Sequence, residues 1–286
     1  MKRIVISGAS GFVGGNLSNF LSQHGYTIDR LTREDLKLND KDLTERLKGA
    51  FAIINLAGAP LIHRWTKSYK EELYTSRIRT TQKITNAIRM LTDKPNVFIS
   101  TSAVGIYKNE THNTERAAHY DSSYLAKICK DWEASVLTTL KITRTAIFRL
   151  GIVLGRDGGA LKSMLPIFKL GLGGPMGTGK QGFPWIHIDD LLQAYLLVLE
   201  HPEAEGIFNL TAPEIITNKQ FTNTLASVVK RPAVMPVPLF ALKLLYGQGA
   251  VALTEGAFVE PSRLKEFSFE YRYPKLEDAL KQIVQE

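Results

Sequence analysis

The chain opens with RIVISGASGFVGGNLSNFLSQ at residues 3–23. The apolar run at residues 3–7 meets glycine directly, and apolar positions then recur at helical spacing at Leu17, Phe20 and Leu21. Strand, tight turn and helix therefore follow one another in this order. They form the beginning of a βαβ unit, from which parallel sheets are built.

The turn carries three glycines in the spacing GxxGxxG. In a dinucleotide-binding turn the first glycine permits the tight bend, the second lets the backbone approach a pyrophosphate, and the third lets helix and strand pack closely. The N-terminus of the helix adds unpaired N–H groups and a partial positive charge. The residues predicted to line this phosphate site are Gly8, Ser10, Gly11, Phe12, Val13 and Gly14.

Strand and helix patterns alternate five times over the first half of the chain, which predicts a Rossmann-type doubly wound parallel sheet with its ligand crevice at the carboxyl ends of the strands. From Gly151 glycine-rich segments appear, and a later strand at residues 207–210 is expected to join the first sheet. We therefore expect two parts. They are a dinucleotide-binding domain of residues 1–150 plus about 184–212, and a smaller C-terminal α/β lobe of about 151–183 plus 213–286.

Composition restricts the class of protein. The charge is +8, but no run of five lysines or arginines occurs, so nucleic acid is not an expected partner. No apolar run reaches 18 residues, and the single cysteine, Cys129, excludes an internal disulfide. The expectation is a cytoplasmic monomer or homodimer with a small-molecule substrate and no membrane partner.

The end of the second predicted strand bears on cofactor choice. An acid there would bind the ribose 2′-hydroxyl of NAD, but this strand ends in Thr32 and Arg33. Because an arginine pairs with a 2′-phosphate and stacks on adenine, NADP(H) is favoured over NAD(H). In the alternative, Arg33 is a solvated loop residue, and Asp35 and Leu36 line an adenine pocket that accepts either cofactor.

Longer motifs extend over nearly the whole chain. The sequence resembles the extended short-chain dehydrogenase/reductase superfamily, and within it the atypical epimerase family proteins, which are NAD-dependent epimerase/dehydratase-like with a distinctive C-terminal domain. The motifs that carry this resemblance are GASGFVG at 8–14, INLAGAP at 54–60, RW at 64–65, SR at 76–77, ISTSAVGIY at 99–107, WE at 132–133, FRLGIVLGRDGGAL at 148–161, GLGGPMGTGKQGFPWIHIDD at 171–190, FNLTAP at 208–213 and PSRLKEFSFEYRYPKLEDAL at 261–280.

The resemblance implies further cofactor contacts. Leu56, Ala57 and Gly58 would lie along the riboses and Ser100 beside the nicotinamide, while Arg149, Gly151 and Val153 would pass under the carboxamide. Ser102 matches the serine or threonine that orients the substrate oxygen. A substrate pocket is expected from Trp65, Arg77, Trp185 and His187, with Asp189 as a helix N-cap and no metal ion.

Enzymes of this superfamily usually carry a tyrosine whose pKa is lowered by a lysine four residues later. In SSYLAKICKDWE, residues 122–133, Leu125 and Cys129 stand at those two positions, and Tyr124 and Lys127 are three apart. The candidate catalytic residues are therefore Ser102, Tyr107, Tyr124 and Lys127.

Three outcomes stay open for the function. The first is an NADP-dependent oxidoreductase or epimerase-like enzyme on a small polar metabolite, in which Tyr107, Tyr124 or a water held by Ser102 replaces the missing acid and Lys127 tunes it. The second is a noncatalytic NADP(H)-binding redox sensor or regulatory protein, and the third is unrelated chemistry in the same crevice.

Overall fold

A computed structural model describes residues 1–285 of the chain. Six parallel strands form the main sheet in the spatial order β2-β1-β3-β4-β6-β9. Successive strands are added on one side of β1 and then on the other, so the switch point lies between β1 and β3, as in a doubly wound fold. The predicted Rossmann-type sheet is therefore confirmed. Its strands are β1 (Arg3–Ser7), β2 (Thr27–Leu31), β3 (Ala52–Asn55), β4 (Val97–Ala103), β6 (Arg144–Leu150) and β9 (Gly206–Leu210).

Four short strands form two further sheets. The first pairs β5 (His112–Asn113) with β10 (Phe258–Val259), and the second pairs β7 (Ile152–Leu154) with β8 (Trp185–His187). The helices are α1 (Phe12–Gln23), α2 (Asp40–Leu47), α3 (Lys67–Tyr74), α4 (Thr80–Met90), α5 (Tyr124–Val136), α6 (Gly159–Lys169), α7 (Ile188–Glu200), α8 (Asn218–Val229), α9 (Leu239–Tyr246), α10 (Val251–Thr254), α11 (Ser262–Glu266) and α12 (Leu276–Gln285).

Side chains of the sheet alternate between two apolar layers, as the period of two along a strand requires. Ile4 and Ile6 face the layer that includes α1 and α7, whereas Val5 faces the layer that includes α2 and α4. Phe148 is fully buried in the first layer between Tyr195 and Phe208, with ring centroids 4.7 Å and 5.8 Å away. Helices thus cover both faces, and only the strand ends are left to form a crevice.

The C-terminal lobe has its own apolar core, formed by α6, α8, α12 and the β7–β8 pair. β8 belongs to both parts of the molecule, because Trp185 lies in the second core and its neighbour Ile186 lies in the first. β9 joins the main sheet beside β6. The proposed division of the chain into two domains stays a prediction.

The sequence pattern from about residue 67 to 91 predicts one long polar helix, and the structure interrupts it. Between α3 and α4 the segment Thr75–Arg79 forms a single π-helical turn. Such a turn inserts one extra residue into the helix and is frequent at functional sites. It lies over the carboxyl end of the sheet and includes Arg77.

Replacing Phe148 by alanine should lower the free energy of unfolding by about 3–5 kcal/mol, because a ring packed on both sides leaves a cavity. Urea denaturation of the purified protein measures this loss. The exposed Met90 provides a control, since its replacement by alanine should change stability by less than about 0.5 kcal/mol. Equal effects at the two positions would contradict the core assignment.

Candidate functional site

The turn between β1 and α1 brings backbone atoms unusually close together. Gly8 has a φ of +73°, and a Cβ there would lie 2.8 Å from the carbonyl carbon of Leu56. A Cβ on Gly14 would lie 2.3 Å from the carbonyl oxygen of Gly8. The fold itself therefore requires glycine at both positions, as the sequence motif predicts.

Gly11 differs from these two glycines. It is the N-cap of α1, is exposed, and has a φ of −79° that any residue can adopt. A Cβ there would meet only the Gly8 carbonyl oxygen, at an ordinary distance of 3.4 Å. Packing does not explain a glycine here. The open space beside the N–H groups of the helix N-terminus fits a pyrophosphate, which a side chain would displace.

The bend that follows β2 presents Arg33 to solvent. The backbone N–H and the hydroxyl of Thr32 both donate to Asp35 Oδ2 at 2.7 Å, which fixes the bend after the strand. Asp35 also lies 3.5 Å from Arg46, so its charge is partly balanced. Arg33 is exposed and makes no hydrogen bond or ion pair within residues 1–285. Its guanidinium is therefore available to a ligand.

At the carboxyl edge of the sheet, six side chains form a polar network, which ends at the exposed Tyr120 hydroxyl, 3.2 Å from Arg149. Arg149 is almost fully buried and donates to Glu133 twice, from Nε at 2.8 Å and from a terminal nitrogen at 2.7 Å. Ser102 donates to the same carboxylate at 2.7 Å. The Tyr107 hydroxyl accepts from Arg149 at 2.8 Å and donates to Asn209 Oδ1 at 2.7 Å. Every member is paired within the protein.

This network bears on two predicted catalytic residues. The Ser102 hydroxyl is directed at Glu133 and is not part of the cleft wall. Tyr107 does line the cleft, but burial raises the pKa of its phenol, although the charge of Arg149 opposes this effect. Its proton is also held by Asn209. Among the four candidates, Tyr107 is the one whose side chain reaches the cleft.

Tyr124 and Lys127 lie apart from the cleft wall. The Tyr124 hydroxyl donates to the Lys70 carbonyl at 2.9 Å, and the Lys127 ammonium pairs with Asp131 at 2.5 Å on the solvent side of α5. Lys127 makes no hydrogen bond to Tyr124 within residues 1–285. Burial raises the pKa of the Tyr124 phenol, and the charge of Lys127 opposes this rise only in part. The ammonium is instead paired with Asp131, one helical turn later on α5.

The two positions where the superfamily has its tyrosine and lysine are apolar in space as well as in sequence. Leu125 forms part of the cleft wall. Cys129 is buried behind it, and burial raises the pKa of its thiol to about 12. The isobutyl group of Leu125 therefore stands in place of the acid, and the neutral thiol of Cys129 stands in place of the cation.

The cleft itself is a cavity of about 1050 Å³ between the sheet edge and the C-terminal lobe. Phe12 and Val13 of the glycine turn line one end, and Gly151 and Val153 line the floor. The opposite wall is apolar and comes from α6, α9, α10 and the glycine-rich loop at 171–176. Its members include Ile167, Phe168, Leu172, Met176, Leu242, Leu245, Tyr246, Val251 and Leu253.

Arg77 is a buried cation in this mostly apolar wall. It is 7% exposed and donates to the backbone carbonyls of Ala59, at 2.8 Å, and Leu73, at 3.2 Å. No carboxylate within residues 1–285 lies within ion-pair distance of it. Burial lowers the pKa of its guanidinium, and Trp132 lies under it with the ring centroid 5.4 Å away. A buried charge without a counter-ion is unfavourable, so this position suits an anionic ligand.

The other predicted pocket residues pack inside the protein and do not line the cleft. Trp65 donates to the Leu61 carbonyl at 2.9 Å, and Trp185 lies in the core of the C-terminal lobe. His187 caps α7 by accepting from the backbone N–H of Asp189 at 3.1 Å. The expectation that Asp189 is the N-cap is wrong, because the imidazole takes that role.

Sequence reasoning overlooked Gln181. This side chain is 2% exposed and lines the cleft. Its amide nitrogen donates to the Met176 carbonyl at 3.0 Å, whereas its buried oxygen has no partner within residues 1–285. The sequence feature that could have indicated it is a single glutamine between the glycine-rich segment 171–180 and the apolar segment 183–188. The same part of the chain contains no group of three or more His, Cys, Asp or Glu side chains arranged to hold a metal ion.

Comparison with known proteins gives two matches along the chain. Residues 4–211 match the NAD dependent epimerase/dehydratase family, and residues 237–283 match a domain of unknown function, DUF1731. An epimerase family protein SDR39U1 homolog, chloroplastic, of Arabidopsis thaliana is 38% identical over 99% of this chain and 86% of its own length.

Two further relatives match from end to end. An epimerase family protein of Staphylococcus saprophyticus is 36% identical, with 99% of this chain and 100% of that protein covered. The crystal structure of the human epimerase family protein SDR39U1 with NADPH superposes with a TM-score of 0.91 at 31% identity, covering 99% of both chains.

Replacing Gly11 by aspartate should abolish dinucleotide binding and leave thermal stability unchanged or slightly raised. A carboxylate in the turn repels the pyrophosphate, while aspartate is a favourable N-cap. Calorimetric titration and a melting curve measure the two effects. Ser22→Asp, at the other end of α1, is the control for the added charge and should bind normally. Undiminished binding by Gly11→Asp would contradict the site.

Proposed function

Because the chain belongs to the NAD dependent epimerase/dehydratase family, we propose that it is an NADP(H)-dependent oxidoreductase with its substrate in the cleft. The observation that carries this proposal is the continuity of the cleft. It runs from Phe12 and Val13, in the glycine turn, to the buried cation of Arg77. A dinucleotide lying on the turn would thus extend its reactive end toward the same cavity.

The choice of NADP(H) rests on two supports. The human relative contains NADPH in its crystal structure. In this chain the exposed Arg33 follows β2, where a guanidinium can pair with a 2′-phosphate. When bound, the nicotinamide supplies or accepts a hydride at a carbon atom of the substrate.

The walls of the cleft favour an apolar substrate with one anionic group, in place of the small polar metabolite expected from sequence. Most lining side chains are aliphatic or aromatic. Arg77 is the one lining cation within residues 1–285, and the two lining carboxylates, Asp121 and Glu255, make no ion pair with it. Two of its five N–H donors are used by backbone carbonyls, which leaves others for a carboxylate. Gln181 would accept one hydrogen bond from the substrate. A chain-bearing 2-oxo acid, or the corresponding 2-hydroxy acid, has this chemistry.

Reduction of such an oxo group leaves an alkoxide that needs a proton. Tyr107 is the candidate donor, because its ring lines the cleft and its hydroxyl is hydrogen-bonded to a guanidinium. To act, it must give up its hydrogen bond to Asn209. Proton return would then come from solvent through the exposed Tyr120 phenol, which accepts from Arg149 at 3.2 Å and stacks on Tyr107.

The second candidate function is a noncatalytic NADP(H)-binding regulator. It is favoured by Leu125 and the neutral thiol of Cys129 at the usual acid and cation positions, and by the complete pairing of Ser102. The two candidates differ in one measurement. The enzyme oxidises NADPH when 2-oxooctanoate is added, whereas the regulator binds NADPH and oxidises none with any oxo acid.

Replacing Arg77 by methionine should lower kcat/KM for 2-oxooctanoate on the order of 100-fold, since a buried charge pair contributes about 3 kcal/mol. The loss for octanal, which has no carboxylate, should be much smaller. NADPH consumption measures both rates, and calorimetry checks that NADPH affinity is retained. Arg77→Lys, which keeps the charge, should recover part of the oxo-acid activity. Equal losses with the two substrates would contradict the anion-binding role.

Replacing Arg33 by aspartate should reverse any preference for NADPH over NADH, because a carboxylate repels the 2′-phosphate and accepts from a 2′-hydroxyl. The measured quantity is the ratio of the two dissociation constants. Lys41→Asp, an exposed charge reversal on α2, is the matched control and should leave the ratio unchanged. An unaltered ratio in Arg33→Asp would show that this residue does not read the 2′-phosphate.

A further inference from the structure

The mouth of the cleft is surrounded by exposed apolar side chains. We call this surface the apolar rim; it consists of α6, α9 and the two segments 170–176 and 232–238. Leu170, Phe240 and Leu244 are 73%, 74% and 71% exposed. Leu172 and Leu245 are more than half exposed and also line the cavity, so the rim and the cleft wall are one continuous apolar surface.

The parts of the rim are held together by backbone contacts. Met176 and Val237 form an isolated parallel bridge, and a Cβ on Gly174 would overlap the carbonyl oxygen of Met235. The rim is therefore a defined surface. Exposed apolar area of this extent marks an interaction site in most proteins.

The charge of the rim is one-sided. Lys162 and Lys169 lie on α6, Lys243 lies on α9, and the rim elements contain no aspartate or glutamate. The rim thus carries three positive charges and no negative charge. Asp121 and Glu255, which line the cleft, come from outside these segments.

We propose that the apolar rim docks on an anionic lipid bilayer and that the cleft takes its apolar ligand from that bilayer. Exposed apolar side chains interspersed with lysines, without acidic residues, are the composition of surfaces that lie in a membrane interface. A second copy of the chain is disfavoured as the occupant, because it would bring two positive rims together. None of the helices within residues 1–285 has the length and apolar composition to cross a membrane, and interfacial docking requires none.

This inference goes beyond the proposed oxidoreductase and does not depend on it. Lipid binding by the rim requires neither NADPH nor turnover. An opening that faces the interface would let an apolar chain pass from lipid into the cavity without crossing water, which is costly for apolar surface.

The test is flotation of the purified full-length protein with vesicles of phosphatidylcholine containing phosphatidylserine, and with vesicles of phosphatidylcholine alone. We expect binding to the anionic vesicles that weakens as salt is raised. The triple substitution Lys162→Gln, Lys169→Gln, Lys243→Gln, at exposed positions on α6 and α9, should lower the partition coefficient about 100-fold, at about fivefold for each charge. Phe240→Ser with Leu244→Ser should lower it by about 100-fold or more, through lost apolar burial.

Matched variants elsewhere on the surface separate this role from general charge and hydrophobicity. Lys41→Gln, Lys48→Gln, Lys141→Gln removes three exposed charges, and Met90→Ser with Leu140→Ser removes two exposed apolar side chains. Both should bind vesicles as the unsubstituted protein does. The proposal is overturned if no vesicles are bound, or if rim and control variants bind alike. It is also overturned if the Phe240 and Leu244 changes abolish a dimer instead, by sedimentation velocity.

Discussion

The ion pair between Arg149 and Glu133 holds the carboxyl edge of the sheet together. Both charges are removed from water, which is strongly unfavourable unless each is fully hydrogen-bonded. The pair meets this condition by drawing Ser102 from β4, Tyr107 from the following turn and Asn209 from β9 into one network. Three strands and α5 are thereby fixed at the floor of the cleft. Loss of one partner would leave a buried charge unpaired at this edge.

The same network shows which features the sequence specifies locally and which depend on tertiary packing. Strand and helix order follow from local periodicity, and the glycine turn follows from backbone sterics, so both were predictable from sequence. The roles of Ser102 and Tyr107 depend on partners far along the chain, at Glu133 and Asn209. Such pairings are set by tertiary packing, and no local pattern specifies them.

The burial of Arg77 was likewise not predictable from local sequence. The sequence pattern predicts one continuous helix over residues 67–91. On such a helix this arginine could equally be a surface residue or a ligand contact. Arg77 is the middle residue of the π turn Thr75–Arg79 and is buried in the cleft wall. Lys127 is a candidate site residue by its position near the superfamily's lysine, whereas α5 presents it to solvent beside Asp131. Burial, more than residue type, separates the two cations.

Because β8 belongs to two apolar cores, the unfolding of one core is coupled to the unfolding of the other. Trp185 and Ile186 are adjacent in sequence, yet each is anchored in a different apolar core. Neither lobe can separate without pulling one of these fully buried side chains into water. The two lobes should therefore unfold as one cooperative unit, and an excised C-terminal lobe would lose part of its own interior. Ligand exchange must then proceed through the mouth of a cleft whose walls stay joined.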